Sequence, residues 1–262
     1  MTNYIRELLL KEKIEYSGVI SIKECKIIND PLYQRTVDFA KSVIVFLMPY
    51  YTADNVKGNI SLYCVPKDYH LYFSRLRENI SEMLYRKYPE NRFELLSDHS
   101  PIDETTAACN CGLGIIGDNT RLINEKYGSF VFIGEIYTDA ILQSEFSEAR
   151  NCEHCGICKS ACPCKDSECL SSFTQRKGEL SEFEISLMKK LNTAWGCDLC
   201  QIVCPHNKNI SPTPIEFFNN DKIHTLTPEI LANMSKDELK ERAFGWRGRK
   251  TIERNIKLLF DE

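Results

Sequence analysis

From Ser42 to Tyr50 the chain reads SVIVFLMPY, apolar at nearly every position rather than at every second one. A strand of that kind is covered on both faces, so the pattern predicts a central strand. Shorter strands are predicted at YSGVISI (16–22) and RFELL (92–96). Between Asp68 and Tyr88, Tyr69, Tyr72, Leu76, Ile80, Met83 and Leu84 recur at helical spacing, and residues 4–14 read as another amphipathic helix. The aromatic members of the longer stripe read as core. RLIN (121–124) and SFVFIGEIYT (129–138) read as a β-pair around Gly128. Helices and strands alternate to about residue 140, which predicts an α/β layer domain. QSEFSEARN (143–151) is polar and reads as a linker, and 211–262, opening with Pro212, Pro214 and Pro228, reads as helical.

The cysteines change this picture. NCEHCGICKSACP sets Cys152, Cys155, Cys158 and Cys162 in a C-x2-C-x2-C-x3-C-P run. Such spacing lets one tight loop bring three thiolates to a [4Fe–4S] cluster, while the fourth cysteine serves a second cluster. GCDLCQIVCP supplies that second run with Cys197, Cys200 and Cys204, one cysteine short, Ala194 standing at the missing position. Cys164 and Cys169 lie between the runs. Cys164 is two residues past Cys162, with the stiff Pro163 intervening, so Cys169 is the expected ligand. The ligand sets by exchange are Cys152, Cys155, Cys158 and Cys204 for one cluster, and Cys162, Cys169, Cys197 and Cys200 for the other. Zinc sites favour separated C-x2-C pairs or mixed Cys/His sets. Disulfides need an oxidising compartment, whereas MTNYIRELLLKEKIEY is charged and lacks a signal-peptide apolar region, so the expected location is the cytoplasm. Cys25, Cys64, Cys109 and Cys111 read as buried apolar side chains.

A chain of 262 residues accommodates one sizeable α/β domain with smaller appendages, and 43% apolar with 27% charged residues fits a globular protein. No apolar stretch approaches the ~20 residues of a membrane span. The net charge of −4 disfavours generic nucleic-acid binding while leaving room for a local basic patch. The expected blocks are 1–142, an α/β domain; 143–210, the cysteine module; and 211–262, a short helical segment.

Chemistry is expected at LLSDHSPIDET. Asp98 directly follows an apolar strand, at a strand tip of the kind where open α/β sheets place ligands. A partly desolvated carboxylic acid there is a candidate proton donor, with His99 as its neighbour. The alternative is a capping aspartate for the helix containing 102–108. CGLGIIGDN (111–119) carries Gly112, Gly114 and Gly117, which permit close backbone approach to a large ligand.

These pieces together resemble the epoxyqueuosine reductases, the cobalamin-dependent iron–sulfur enzymes of queuosine biosynthesis. The similar stretches are DYH (68–70), SDHSPIDE (97–104), GLGIIGDNTRLIN (112–124), YGSFVFIGEI (127–136), both cysteine runs, CLSSFT (169–174) and AFGWRGRKTIERN (243–255). The resemblance runs through nearly the whole chain in order. It matches Cys169 to the family's extra ligand and Asp98 to its proton donor, in a D-x-x-P-x-x-E pattern completed by Pro101 and Glu104. Where the family usually reads G-L-G-W-x-G-K, this chain has Ile115 for the tryptophan and Asp118 for the lysine.

The resemblance implies a nitroreductase-like α/β domain holding base-off cobalamin, a ferredoxin-like module with two [4Fe–4S] clusters, and the start of a helical-repeat domain, with Glu262 about one helix into it. It implies a cobalamin pocket formed by the Asp98 region, Leu122, Ile133, Ser171, Cys197 and Asp198. DYHLYF is not a D-x-H-x-x-G cobalamin box, since Phe73 replaces the glycine, and the family's cobalt takes no histidine. The implied activity is reduction of epoxyqueuosine in tRNA, fed by a low-potential donor such as ferredoxin or flavodoxin, with no membrane partner. Two other readings keep the same residues in view: a reductase of this architecture acting on a small molecule, and an electron-transfer protein using the clusters alone. Arg242, Arg247, Arg249 and Lys250 in RAFGWRGRK, beside Trp246, form the expected tRNA-facing basic run.

Overall fold

The computed structural model describes residues 1–54, 57–164 and 168–261. Backbone contacts divide the chain into two units. One comprises Met1–Tyr50, Tyr72–Cys155 and Pro205–Ile215; the other comprises Tyr51–Leu71, Gly156–Cys204 and Glu216–Glu262.

The first unit is built on a four-stranded sheet of β1 (Ser17–Ser21), β2 (Ser42–Pro49), β3 (Phe93–Ser97) and β6 (Val131–Thr138), in the order β1-β2-β6-β3. Every residue of β2 is buried, as its unbroken apolar run predicts, and it lies between two neighbours. All three pairings are antiparallel, so the ligand rule for parallel-sheet strand tips does not apply to Asp98. Helices α1 (Thr2–Lys11), α2 (Asp30–Thr36), α3 (Tyr69–Lys87) and α4 (Glu104–Asn110) accompany the sheet; the first residues of α3 belong to the other unit. Val43, Val45 and Leu47 of β2 pack with Ile133 and Tyr137 of β6 and with Ala107 and Ala108 of α4. On the opposite face Phe46 lies against Gly134, where an added Cβ would come within 2.3 Å of the ring.

The expected β-pair around Gly128 does not form. Leu122–Ile123 (β5) pairs instead with Ile115–Ile116 (β4), and β6 takes β2 and β3 as partners. Only a single bridge, Asn124 to Gly128, remains. Asn124 is the reason: its side chain accepts from the Lys126 and Tyr127 amides and donates to the Leu113 carbonyl, which makes the segment a turn. Alternation marks which residues are extended, but pairing is set by neighbours far away in sequence.

The second unit is helical: α5 (Ile157–Ala161), α6 (Leu170–Gln175), α7 (Glu182–Leu191), α8 (Leu199–Ile202), α9 (Pro228–Asn233), α10 (Lys236–Lys240) and α11 (Arg249–Phe260). Ser181 with Glu184 and Ser235 with Glu238 form reciprocal capping boxes at the starts of α7 and α10. One core gathers Ile60, Cys64 and Val65 around Trp195, Phe244 and Ile252. That packing is why 51–71 joins this unit and not the sheet. Asn255, fully buried on α11, donates to the Thr174 and Ala194 carbonyls, tying α11 to the stretches on either side of α7.

Candidate active site

Asp98 stands immediately beyond β3, exposed, with φ of 66°. The His99 amide donates to the Ser97 carbonyl at 2.8 Å, closing a three-residue turn centred on Asp98. A non-glycine residue in this region costs about 1–3 kcal/mol and persists only where its surroundings hold it. Here they do: Ser97 Oγ donates to the Ile133 carbonyl at 2.7 Å, and Ser100 Oγ to Glu135 Oε1 at 3.0 Å. Asp98 is not the helix cap. That role belongs to Asp103, whose carboxylate accepts from the Thr106 amide at 3.1 Å.

Behind this turn lie two carboxyl groups: Glu104, which the sequence placed only as the end of the D-x-x-P-x-x-E pattern, and Glu135, which it did not single out. Glu135, central on β6 opposite Val45 and Leu96, is wholly buried and receives hydrogen bonds from Tyr137 and Ser100. Burial pushes its carboxyl up to about 7, against the hydrogen bonds that favour the charged form. Glu104 opens α4 with a buried Oε2 that has no hydrogen-bond partner among the described residues. Burial first, then the charges of Glu135, Asp98 and Asp103, push Glu104 up to about 8, with Arg121 opposing. The signal available in sequence was Glu135, a lone acid inside the apolar run VFIGEIY.

Because the folded pKa of Glu135 lies above its ordinary value of 4.5, the folded chain retains a proton that the unfolded chain releases. Its stabilising contribution is complete below 4.5 and is lost as pH rises through about 7. Glu135→Gln is therefore expected to weaken the fall in urea-unfolding stability across that window. An unchanged pH dependence would mean Glu135 is ionised in the fold.

In the helical unit, α5 carries Cys158 and packs against α8, which carries Cys200. Cys162 ends α5, its amide donating to the Cys158 carbonyl, and Cys204 follows α8. Burial chiefly pushes the Cys197 thiol up to about 12, and Asp198, Cys169 and Cys200 add to the shift, so these thiols are close neighbours. Cys169 is exposed at the start of α6. Cys164 is instead buried in an apolar cluster with Leu170, Phe173, Leu187 and Met188. Asp198 is committed within this unit: it accepts from Ser61 Oγ and the Leu62 amide, each at 2.6 Å, and from Gln201. Ser171 Oγ accepts from Gln175 at 3.0 Å.

Cys152 and Cys155 belong to the sheet unit, where Cys152 donates its amide to Ile116. Asp118 binds His154 Nδ1 at 2.7 Å, and the Asp118 carboxylate, His154 Nδ1 and Cys152 Sγ lie within 4.8 Å of one another. Leu122 and Ile133 are both buried in the core beneath α4. Gly114 is required by the chain itself, since a Cβ there would meet the Ile123 carbonyl at 2.4 Å. It also borders a cavity of about 200 Å³ lined by Tyr16, Asn124, Glu125 and Arg150.

The sheet unit thus holds an acid in a positive-φ turn, and the helical unit holds thiols on short helices in runs of the spacing that suits [4Fe–4S] clusters. The family model described as "Epoxyqueuosine reductase QueG, DUF1730" matches residues 33–98. An epoxyqueuosine reductase of Leadbetterella byssophila is 32% identical over 80% of this chain and 75% of its own length. One from Synechocystis is 31% identical over 78% of this chain and 76% of its own. The chain belongs to the epoxyqueuosine reductase family. The fold agrees: the structure of epoxyqueuosine reductase from Streptococcus thermophilus superposes with a TM-score of 0.80 at 20% identity, covering 99% of this chain and 80% of that one. An epoxyqueuosine reductase solved with an epoxyqueuosine-modified tRNA-Tyr stem loop gives a TM-score of 0.78 at 22% identity, covering 98% and 81%. Among the described residues no helix is long and apolar enough to cross a membrane.

Proposed function

We propose that this chain reduces epoxyqueuosine to queuosine in tRNA. Family membership carries the reading, and the held, exposed Asp98 supports it as the proton donor to the departing epoxide oxygen. Two [4Fe–4S] clusters are proposed, on Cys152, Cys155, Cys158 and Cys204, and on Cys162, Cys169, Cys197 and Cys200. The nearness of Cys169 and Cys200 to Cys197 fits the second set. Base-off cobalamin, when bound, supplies the reducing centre, with electrons from a low-potential donor such as ferredoxin or flavodoxin. Leu122 and Ile133, both buried in the core, are proposed to border its pocket, with Ser171, Cys197 and Asp198 as further contacts. In this reading the sheet unit is nitroreductase-like and the cysteine module ferredoxin-like. Asp98 moves a proton, and the turn that holds it fixes where that proton is delivered.

The test is anaerobic incubation of reconstituted protein, cobalamin and a chemical reductant with an epoxyqueuosine-bearing anticodon stem-loop. Mass spectrometry should register loss of one oxygen from the modified base. Robust cobalamin binding with an unaltered stem-loop would overturn the proposal.

The basic run divides into side chains held within the fold and side chains left on the surface. Arg242 is buried and paired with Asp221, and Arg249 donates to the Leu231 and Met234 carbonyls at the end of α9. Arg247, stacked 3.6 Å over the exposed Trp246 ring, and Lys250 remain on the surface. Replacing Arg247 and Lys250 together by alanine is expected to flatten the log–log salt dependence of stem-loop binding by about two units, one per phosphate. Arg249→Ala should instead lower stability. Equal salt slopes in the double variant and the parent would remove these side chains from the interface.

A further inference from the structure

Resting on the reading above, we propose that Glu104 is a proton store, a positioning residue that recharges Asp98 within each turnover. Reducing an epoxide to an alkene consumes two electrons and two protons: both C–O bonds break, a C=C bond forms, and the oxygen leaves as water. The low-potential donor supplies the electrons. One carboxyl group supplies only one of the two protons, so Asp98 must be protonated again before the oxygen can leave as water.

The arrangement behind the turn meets that need. Glu104 opens α4 six residues beyond Asp98, at the end of the same β3–α4 connection, and the Asp98 charge is among those that push its carboxyl up. Its Oε2 is buried without a partner among the described residues. Such an atom is costly as part of a carboxylate and far less so as part of a neutral acid. The groups facing it favour the neutral form: Glu135 on β6, Asp98 in the turn and Asp103 at the cap, with Arg121 the opposing cation. Glu135 is itself anchored by Ser100 and Tyr137, so the negative charge beside Glu104 is fixed in place whenever Glu135 ionises. Burial and these charges push Glu104 up to about 8, so the neutral acid is its expected form at neutral pH. The oxygen leaving the substrate is far more basic than either carboxylate, so transfer from Glu104 through Asp98 to that oxygen runs downhill overall. Glu104 ends the turnover as a carboxylate and regains its proton from solvent.

The experiment uses the reconstituted holoenzyme, the isosteric Glu104→Gln variant and Glu104→Asp, which keeps an acid. Wild-type turnover should fall as pH rises through about 8, because Glu104 must be protonated to act. Glu104→Gln should lose about 10²-fold in rate, the lower end for a lost acid, and lose that alkaline limb. Glu104→Asp should restore part of both. Iron content and cobalamin binding should match the parent in each. Separately, the infrared difference between substrate-free wild type and Glu104→Gln should show a protonated carboxylic acid at neutral pH. Only carboxylate bands in that difference, or wild-type rate and pH profile in Glu104→Gln, would overturn the proposal. A wild-type holoenzyme inert toward the stem-loop would instead overturn the reading on which it rests, and this proposal with it.

Discussion

Asp98→Asn is expected to lower epoxyqueuosine reduction by about 10²–10⁴-fold, the range for a lost general acid. The amide preserves size and shape, so the turn should survive: it is closed by the His99 amide and Ser97 carbonyl and held by Ser97 and Ser100, none of which the substitution touches. Asparagine also tolerates the positive φ of this position as well as aspartate does. Asp103 caps α4, so helix stability is not at stake. Iron content, cobalamin binding and thermal unfolding should therefore stay at parental values while the rate collapses, which anaerobic single-turnover assays would register. An Asp98→Asn enzyme with full activity would remove this residue from the mechanism and direct attention to His99, exposed beside it.

The second large effect concerns iron. Anaerobic reconstitution should load about eight irons per chain, as two four-iron clusters. Cys169→Ala is expected to lose about half of that iron and the electron paramagnetic signal of one cluster. Cys164→Ala should retain all of it. The contrast follows from placement: Cys169 is exposed and close to Cys197, whereas Cys164 packs among Leu170, Phe173 and Met188. Losing that buried sulfur should appear in unfolding, at about 1 kcal/mol, and not in iron content. Iron loss in Cys164→Ala with full loading in Cys169→Ala would reverse the assignment.

Alanine at Cys64 provides a useful comparison for both experiments. That thiol is fully buried in the helical core, and burial raises it far above its ordinary value. It is therefore kept as a neutral, apolar side chain, as its position outside the cysteine runs suggests. Its removal should affect unfolding without changing iron.

Several features of this protein follow from residues close together in sequence. The unbroken apolar run at 42–50 makes a fully buried strand, since no face of it tolerates water. The stripe from Tyr69 to Leu84 makes a helix that the structure extends over Tyr69–Lys87. Two cysteine runs, each ending in proline, mark the segments proposed to carry the cluster ligands. These are local properties, set by periodicity and by the reach of a short loop. Tertiary structure decided the rest. Antiparallel partners on both sides of β6 replaced the hairpin around Gly128, and packing onto Trp195 drew 51–71 into the helical unit. Arg242 and Arg249 were taken out of the basic run by Asp221 and by the carbonyls ending α9. Glu104 and Glu135, 31 positions apart, became neighbouring acids only when α4 packed on the sheet. Their chemistry depends on desolvation and on charges brought close by the fold, and neither quantity exists until the chain has folded.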